Sequence, residues 1–269
     1  MKKQSIIRKN KAIAGVIEAL LMVALVSIII SMIQLIYIPD IMEQKEAEHM
    51  DQVSNQFSTL KSMIELQAIT NSSAPISTMV TLGSRELPYF ITARAFGEIQ
   101  VEESNEWEIC VNGAHVEYLT SITYEASNSY FVDQTYVIEG GGIIVEQPNG
   151  DPVMRVDPSI NFESEETICF NLPIFVGMPG KNLTSGLGKC FIRTNWSEGG
   201  VHPYNADSMN ITTRFPNAWQ ESLSDILGED FLIEEGESYI KISRHDETLF
   251  PLLVKYYYIY TQIGHGWIK

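Results

Sequence analysis

Along the chain the hydrophobic pattern changes period twice. From Ile13 to Ile38 the only charged side chain is Glu18, and Gln34 is the only other strongly polar one. As a helix these roughly 26 residues span about 39 Å, enough to cross a bilayer core of about 30 Å. Beyond Pro39 the apolar positions Met50, Val53, Phe57, Leu60 and Ile64 recur at spacings of 3 and 4, a narrow seam of the kind used in helix packing. Polar residues such as Glu48, Asp51, Asn55 and Ser62 fill the opposite face. Pro39 can kink such a helix without ending it, and the helix should run to about Gln67 before "TNSSAP" breaks it. The seam has two readings: it packs on the chain's own outer domain, or on neighbouring copies.

From about Ile76 the period becomes two, as in "GEIQVEES", "EWEICVNG" and "HVEYLTSITYEA". Asn112-Gly113, Gly140-Gly141-Gly142 and "PNGDP" supply turns, and "QTYVIEGGGIIVEQPNGDPVMRV" reads as a three-strand meander. Later strands are expected in "TICFNLPIFVG", "KCFIRTNW", "SMNITTRF", "SYIKISR" and "LLVKYYYIYTQI". One helix interrupts them at "PNAWQESLSDILG", with Trp219, Leu223 and Leu227 on one face and Gly228 as the stop. The expected fold class is α+β. A long N-terminal transmembrane and stalk helix precedes a mainly antiparallel, β-sandwich-like domain with one short helix. The corresponding boundaries are 1–12 for a basic leader, 13–38 for the membrane helix, 39–69 for the amphipathic stalk and 76–269 for the β-rich domain.

Charge orients this plan. Residues 1–12 carry Lys2, Lys3, Arg8, Lys9 and Lys11 and no acid, so with a total of −16 the remainder carries −21. Under the positive-inside rule the leader is cytoplasmic and residues 40–269 are outside, which makes this a single-pass cell-membrane protein with an extracellular body. So acidic a body repels phosphate backbones, and nucleic acid is not an expected partner. A secretory signal peptide fits poorly, because the apolar run is too long and ends in "LIYIPDIMEQ" without an A-x-A site. Four sequons lie beyond the apolar run, at Asn71, Asn182, Asn195 and Asn210, and are glycosylation candidates. The cysteines are Cys110, Cys169 and Cys190. A Cys169–Cys190 bridge and three buried thiols are equally acceptable readings.

The pattern offers little chemistry. The five histidines are scattered, without H-E-x-x-H or an i, i+4 pair, and no nucleophile elbow occurs. "GMPGKN" and "GLGKC" fail to complete a phosphate-binding loop and read as turns. The tyrosines of "KYYYIYTQ" are expected to fill both faces of a sheet. No catalytic residue, metal set or cofactor is expected, and the chain does not read as an enzyme.

A short basic leader running straight into "IAGVIEALLMVALVSIII" resembles the class III signal of archaeal type IV pilin-like proteins. Lys11-Ala12 matches the basic-then-small end of such leaders, and Val16-Ile17 falls in register with the "VSPVIG" start common among them. Glu18 stands where a glycine is usual, and Ala14-Gly15 where a Ser-Pro pair is usual. "DQTYVIEGGGIIVEQPNG", "SGLGKC" and "FPNAWQESL" are similar, more loosely, to the β-domain of a pilin-like family from methanogenic and related archaea. The resemblance implies cleavage by a prepilin-type peptidase between Ala12 and Ile13, with Lys11, Ala12 and Ile13 forming the processing site. It also implies assembly with other pilin subunits or copies of itself, and a pairing of Glu18 with a neighbour's new α-amine. Two simpler readings of Glu18 stand beside that one: snorkelling to the inner interface, and a favourable place in the first turns of a helix. The function expected from the resemblance is a membrane-stored, minor or accessory subunit of a surface filament. The alternative is an unprocessed single-pass anchor whose β-sandwich binds sugar or protein.

Overall fold

The computed structural model describes residues 2–83, 95–162 and 167–264, and of residues 2–14 the backbone alone. Helix α1 (Lys2–Met32) passes through one π-helical turn at Ile33–Tyr37 into α2 (Ile38–Thr70). The widened turn has a local cause. Pro39 has no N–H to donate and its ring crowds the carbonyl four residues back, and the adjacent Ile38 N–H reaches Ile33 O instead of making an α-helical bond. From Gly15 to Thr70 the helix is continuous over 56 residues, and it is long and apolar enough to cross a membrane. Asn71, in the left-handed conformation, ends it.

The two halves of this helix meet different surroundings. Every large apolar side chain described in α1 is exposed, as are those of the π-helical turn. In α2 the seam residues Met50, Val53, Phe57, Leu60 and Ile64 are all buried, while the polar face through Glu48, Asp51, Asn55 and Ser62 is exposed. The seam therefore packs on the chain's own domain.

That domain is mostly antiparallel. Its strands are β1 (Ile76–Thr81), β2 (Phe96–Glu102), β3 (Glu108–Val111), β4 (Ala114–Tyr118), β5 (Ser121–Ser127), β6 (Thr135–Glu139), β7 (Gly142–Glu146), β8 (Val153–Val156), β9 (Ile160–Phe162), β10 (Ile168–Gly177), β11 (Leu183–Gly186), β12 (Lys189–Ala206), β13 (Met209–Thr212), β14 (Phe231–Glu235), β15 (Tyr239–Arg244) and β16 (Phe250–Ile263), with α3 (Pro216–Leu227) between β13 and β14. They form three sheets, in the orders β1-β12-β16-β10-β9, β11-β2-β5-β6-β7-β8 and β14-β15-β13-β3-β4. Strands β10 and β16 pair in parallel.

Two cores result. Phe57 of α2 packs with Tyr124, Tyr136, Phe175 and Ile259 in one. Trp219 and Leu223 of α3 pack with Phe170, Ile211 and Leu252 in the other. Strand β16 serves both: Phe250, Leu252 and Val254 face the α3 core, whereas Tyr257, Ile259 and Ile263 face the α2 core. Since successive strand residues point to opposite faces, the covered face of the strand switches near Tyr256. The tyrosines of this strand do fill both faces of the sheet. At the β6–β7 turn, Gly140 and Gly141 have φ of 56° and 82°. A Cβ on Gly140 would meet the Trp219 ring at 2.4 Å, so the glycine makes room for the largest side chain of the α3 core.

Of the two readings of the cysteines, the structure has the thiols: Cys110, Cys169 and Cys190 form no disulfide, with Cys169 and Cys190 buried and Cys110 half-buried. Strand β16 lies between their strands, β10 and β12. Cys169 pairs with Leu253, which pairs with Pro203, and Cys190 lies 13 residues further along β12. At about 3.3 Å per residue they are tens of ångströms apart, against the roughly 7 Å limit for a bridge.

Candidate functional site

Buried polar bonds tie the helix to the domain. Glu46 is fully buried, and its carboxylate accepts the backbone N–H groups of Ser129, Tyr130 and Phe131 at 2.7–3.2 Å. Charge-assisted bonds to three consecutive amides fix the β5–β6 loop to the helix. One turn on, His49 Nε2 lies 3.1 Å from Thr81 O, and burial pulls its pKa below the ordinary value. Gln56 accepts from Thr81 N–H at 2.8 Å and donates to Thr81 Oγ1 at 3.1 Å. Gln67 donates to Ala74 O and Thr194 O at 2.8 and 3.0 Å and accepts from Thr194 Oγ1 at 2.8 Å. Glu46, His49 and Gln67 are buried beside the seam of α2, and Gln56 is half-buried. They secure α2 where an apolar seam alone would permit sliding.

Upstream, among the described residues, nothing covers the apolar surface of α1 from Val16 to Met32. Glu18 is exposed amid Ile17, Leu21, Met22 and Leu25. Among the described residues it has no hydrogen-bond or ion-pair partner. Lys11, Ala12 and Ile13 lie in the part of α1 described by backbone alone, so their side chains fall outside the described residues.

At the other end of α2 an open cleft of about 970 Å³ lies between the helix terminus and the β12–β16 pair. Ile69, Trp196 and Tyr256 give it apolar walls, and Glu65, Asn161 and Asn171 supply polar groups. A β-bulge between Ser197 and Gly200 shapes one side, and Trp196 Nε1–H is buried there without an acceptor among the described residues. Aromatic faces beside a few polar groups are the ordinary lining of a small-molecule cleft. Two sequons border it: Asn71 lines the cleft, and Asn195 precedes Trp196 in β12. Asn71 and Asn182 are exposed and Asn195 is half-buried. Asn210 sits in β13 between β15 and β3, with its side-chain Oδ1 buried and unpartnered, a poor place for a glycan.

One further group was invisible to motif searching. The Asn112-Gly113 turn places Glu108, Cys110 and His115 together, with one donor atom of each within 4.8 Å of the others. The signal lay in the turn. In a two-residue hairpin, residues equidistant from the turn pair across it, so Cys110 and His115 become partners.

The α3 core also holds an acid. Glu139 accepts from Thr213 Oγ1 at 2.6 Å and from Trp219 Nε1 at 2.8 Å. Burial pushes its pKa up to about 7, against the two bonds that favour the charged form. With both bonds spent on the core and no nucleophile paired with it, Glu139 fixes Trp219 in place and offers no evident chemistry.

No protein-family model, no curated protein and no solved structure matches this chain.

Proposed function

We propose that this chain is a membrane-stored, pilin-like subunit of an archaeal cell-surface filament, minor or accessory in kind, that displays a glycosylated β-rich domain outside the cell. One observation carries the reading: a single continuous helix whose first half is bare and apolar and whose second half is built into the β-domain. A surface as apolar as α1 requires either lipid or other helices around it. The same surface serves both states, lipid before assembly and neighbouring helices after it. Because α2 is bonded to the domain, the head travels with the helix as one body when the environment of α1 changes.

Glu18 gives this exchange a direction. A lone carboxylate in an apolar segment is costly, and partnering with a positive group relieves that cost. On the resemblance set out above, removal of residues 1–12 leaves an α-amine on Ile13, charged at neutral pH. Within one helix that amine lies about 7.5 Å along the axis from Glu18, so an axially shifted neighbour is the better donor. The partners on this reading are the membrane, a prepilin-type peptidase and other subunits. The testing variant is Glu18→Ala in cells that are sheared. The protein should remain at normal level in membranes and disappear from the sheared fraction. Equal release of variant and parent would sink the pairing role.

A second reading has its own observation. The cleft beside Trp196 and Tyr256 suits a single-pass anchor whose β-domain binds a sugar, with aromatic faces stacking on the ring and Asn161 or Asn171 meeting its hydroxyls. Here the chain stays with membranes after shearing, and oligosaccharide titration changes the fluorescence of Trp196.

A further inference from the structure

We propose that the β3–β4 hairpin is a metal site for a borderline-soft divalent cation, of which Zn²⁺ is the natural example, bound by Glu108, Cys110 and His115. The geometry starts in the turn. Asn112 and Gly113 both have positive φ, 53° and 74°, which makes a tight two-residue turn and sets Cys110 opposite His115. The turn is clamped from behind. Asn112 Nδ2 donates to Asn205 O at 3.1 Å, its Oδ1 accepts from Asp207 N–H at 2.9 Å, and its own N–H reaches Ser208 O at 3.0 Å. The ring of His115 lies against that of Tyr118, with centroids 4.6 Å apart. The hairpin is therefore held before any ion arrives.

One donor atom from each of the three side chains lies within 4.8 Å of the other two, and Glu108 Oε2 is 2.8 Å from His115 Nδ1. Around a tetrahedral ion with bonds of about 2.0–2.3 Å the donors stand roughly 3.5 Å apart, so modest side-chain rotations close the set. One sulfur, one nitrogen and one oxygen form a donor set that zinc accepts. A second observation points to the same spot. Asn210 pairs directly with Cys110 across β3 and β13, and its Oδ1 is buried with no hydrogen-bond donor among the described residues. A buried acceptor without a donor is unfavourable, and a cation beside it would satisfy it. Strand β4 is the edge of its sheet, so the ion has an entry path from solvent. On binding, the Cys110 S–H bond breaks, the proton leaves to solvent and a metal–sulfur bond forms. No electron is transferred.

The test uses the full chain in detergent, reduced and freed of metal, titrated with Co²⁺ as the spectroscopic probe. The proposal predicts one equivalent bound with a thiolate-to-cobalt charge-transfer band. Cys110→Ser should abolish the band, and His115→Ala and Glu108→Gln should each weaken binding at least ~10-fold, the scale of losing even an outer-shell partner. Cys169→Ser should leave the band unchanged. The His115 side chain is 42% exposed, so His115→Ala remains informative if Cys110→Ser fails to fold. Absence of the band from the parent protein would overturn the site. So would a band that survives Cys110→Ser, or full-strength binding by His115→Ala.

Discussion

Replacing Gln67 by leucine tests whether α2 belongs to the β-domain or merely rests on it. Gln67 is fully buried near the end of the helix, and it makes three hydrogen bonds that span 7 and 127 residues of sequence. Gln67→Leu keeps a similar bulk and helix propensity and removes all three bonds. A buried hydrogen bond contributes about 1 kcal/mol net, and a buried partner left unpaired costs about 1–3 kcal/mol. Thr194 is also fully buried, so its hydroxyl cannot turn to water. With some relaxation of Ala74, the expected loss is about 3 kcal/mol. For a urea slope of about 2 kcal/mol/M, the unfolding midpoint of the full chain in detergent falls by about 1.5 M. Tryptophan fluorescence follows the transition, since Trp219 and Trp196 lie in or beside the two cores. Thr194→Val alone should cost about 1 kcal/mol, and the double variant less than the sum, because the two residues share a bond. A midpoint shift below ~0.3 M for Gln67→Leu, or strict additivity in the double variant, would refute the reasoning.

Glu139 should make stability fall with rising pH. Its folded pKa is raised to about 7, so the folded state holds more protons than the unfolded state between the ordinary carboxylate range and neutrality. The stability it contributes is complete below the unfolded pKa and is lost as pH rises through about 7. Glu139→Gln keeps acceptors for Thr213 and Trp219. It should match the parent at about pH 4 and exceed it by about 3 kcal/mol at about pH 8 in urea unfolding. Gly140→Ala should cost about 3 kcal/mol, combining positive φ with displacement of Trp219. Gly113→Ala shares the positive φ but meets nothing within 4 Å and should cost only about 1 kcal/mol, a contrast that thermal melting reads directly. Glycopeptide mass spectrometry of native material should find glycan at Asn71 or Asn182 and none at Asn210, whose side-chain oxygen is buried within the sheet.

Much of this architecture was legible because it is periodic. The change from an unbroken apolar run to a 3–4 seam and then to alternation located both helices and most strands. The stop at Gly228 and the buried face of Trp219, Leu223 and Leu227 followed from one helical window. The β12 strand runs on to Ala206, past the expected "KCFIRTNW", because the bulge between Ser197 and Gly200 shifts the register and pairing with β16 then resumes. The pattern could not give the sheet assignments. Strands β10, β12 and β16 share a sheet although they are far apart in sequence, and that arrangement also separates Cys169 from Cys190. Glu46, Gln56 and Gln67 lie outside the apolar seam that periodicity picks out. Their partners are backbone and side-chain groups distant in sequence, which no local window contains. The hairpin cluster was missed for a different reason. Its spacing is set by a turn, and motif rules drawn from helices do not see it.

The use of the apolar helix is tested most directly by N-terminal sequencing of this chain recovered from sheared cell-surface material. The account predicts a mature chain beginning at Ile13, with Glu18 close to the new amine. Recovery of the chain only from membranes, with Met1 intact, would contradict it.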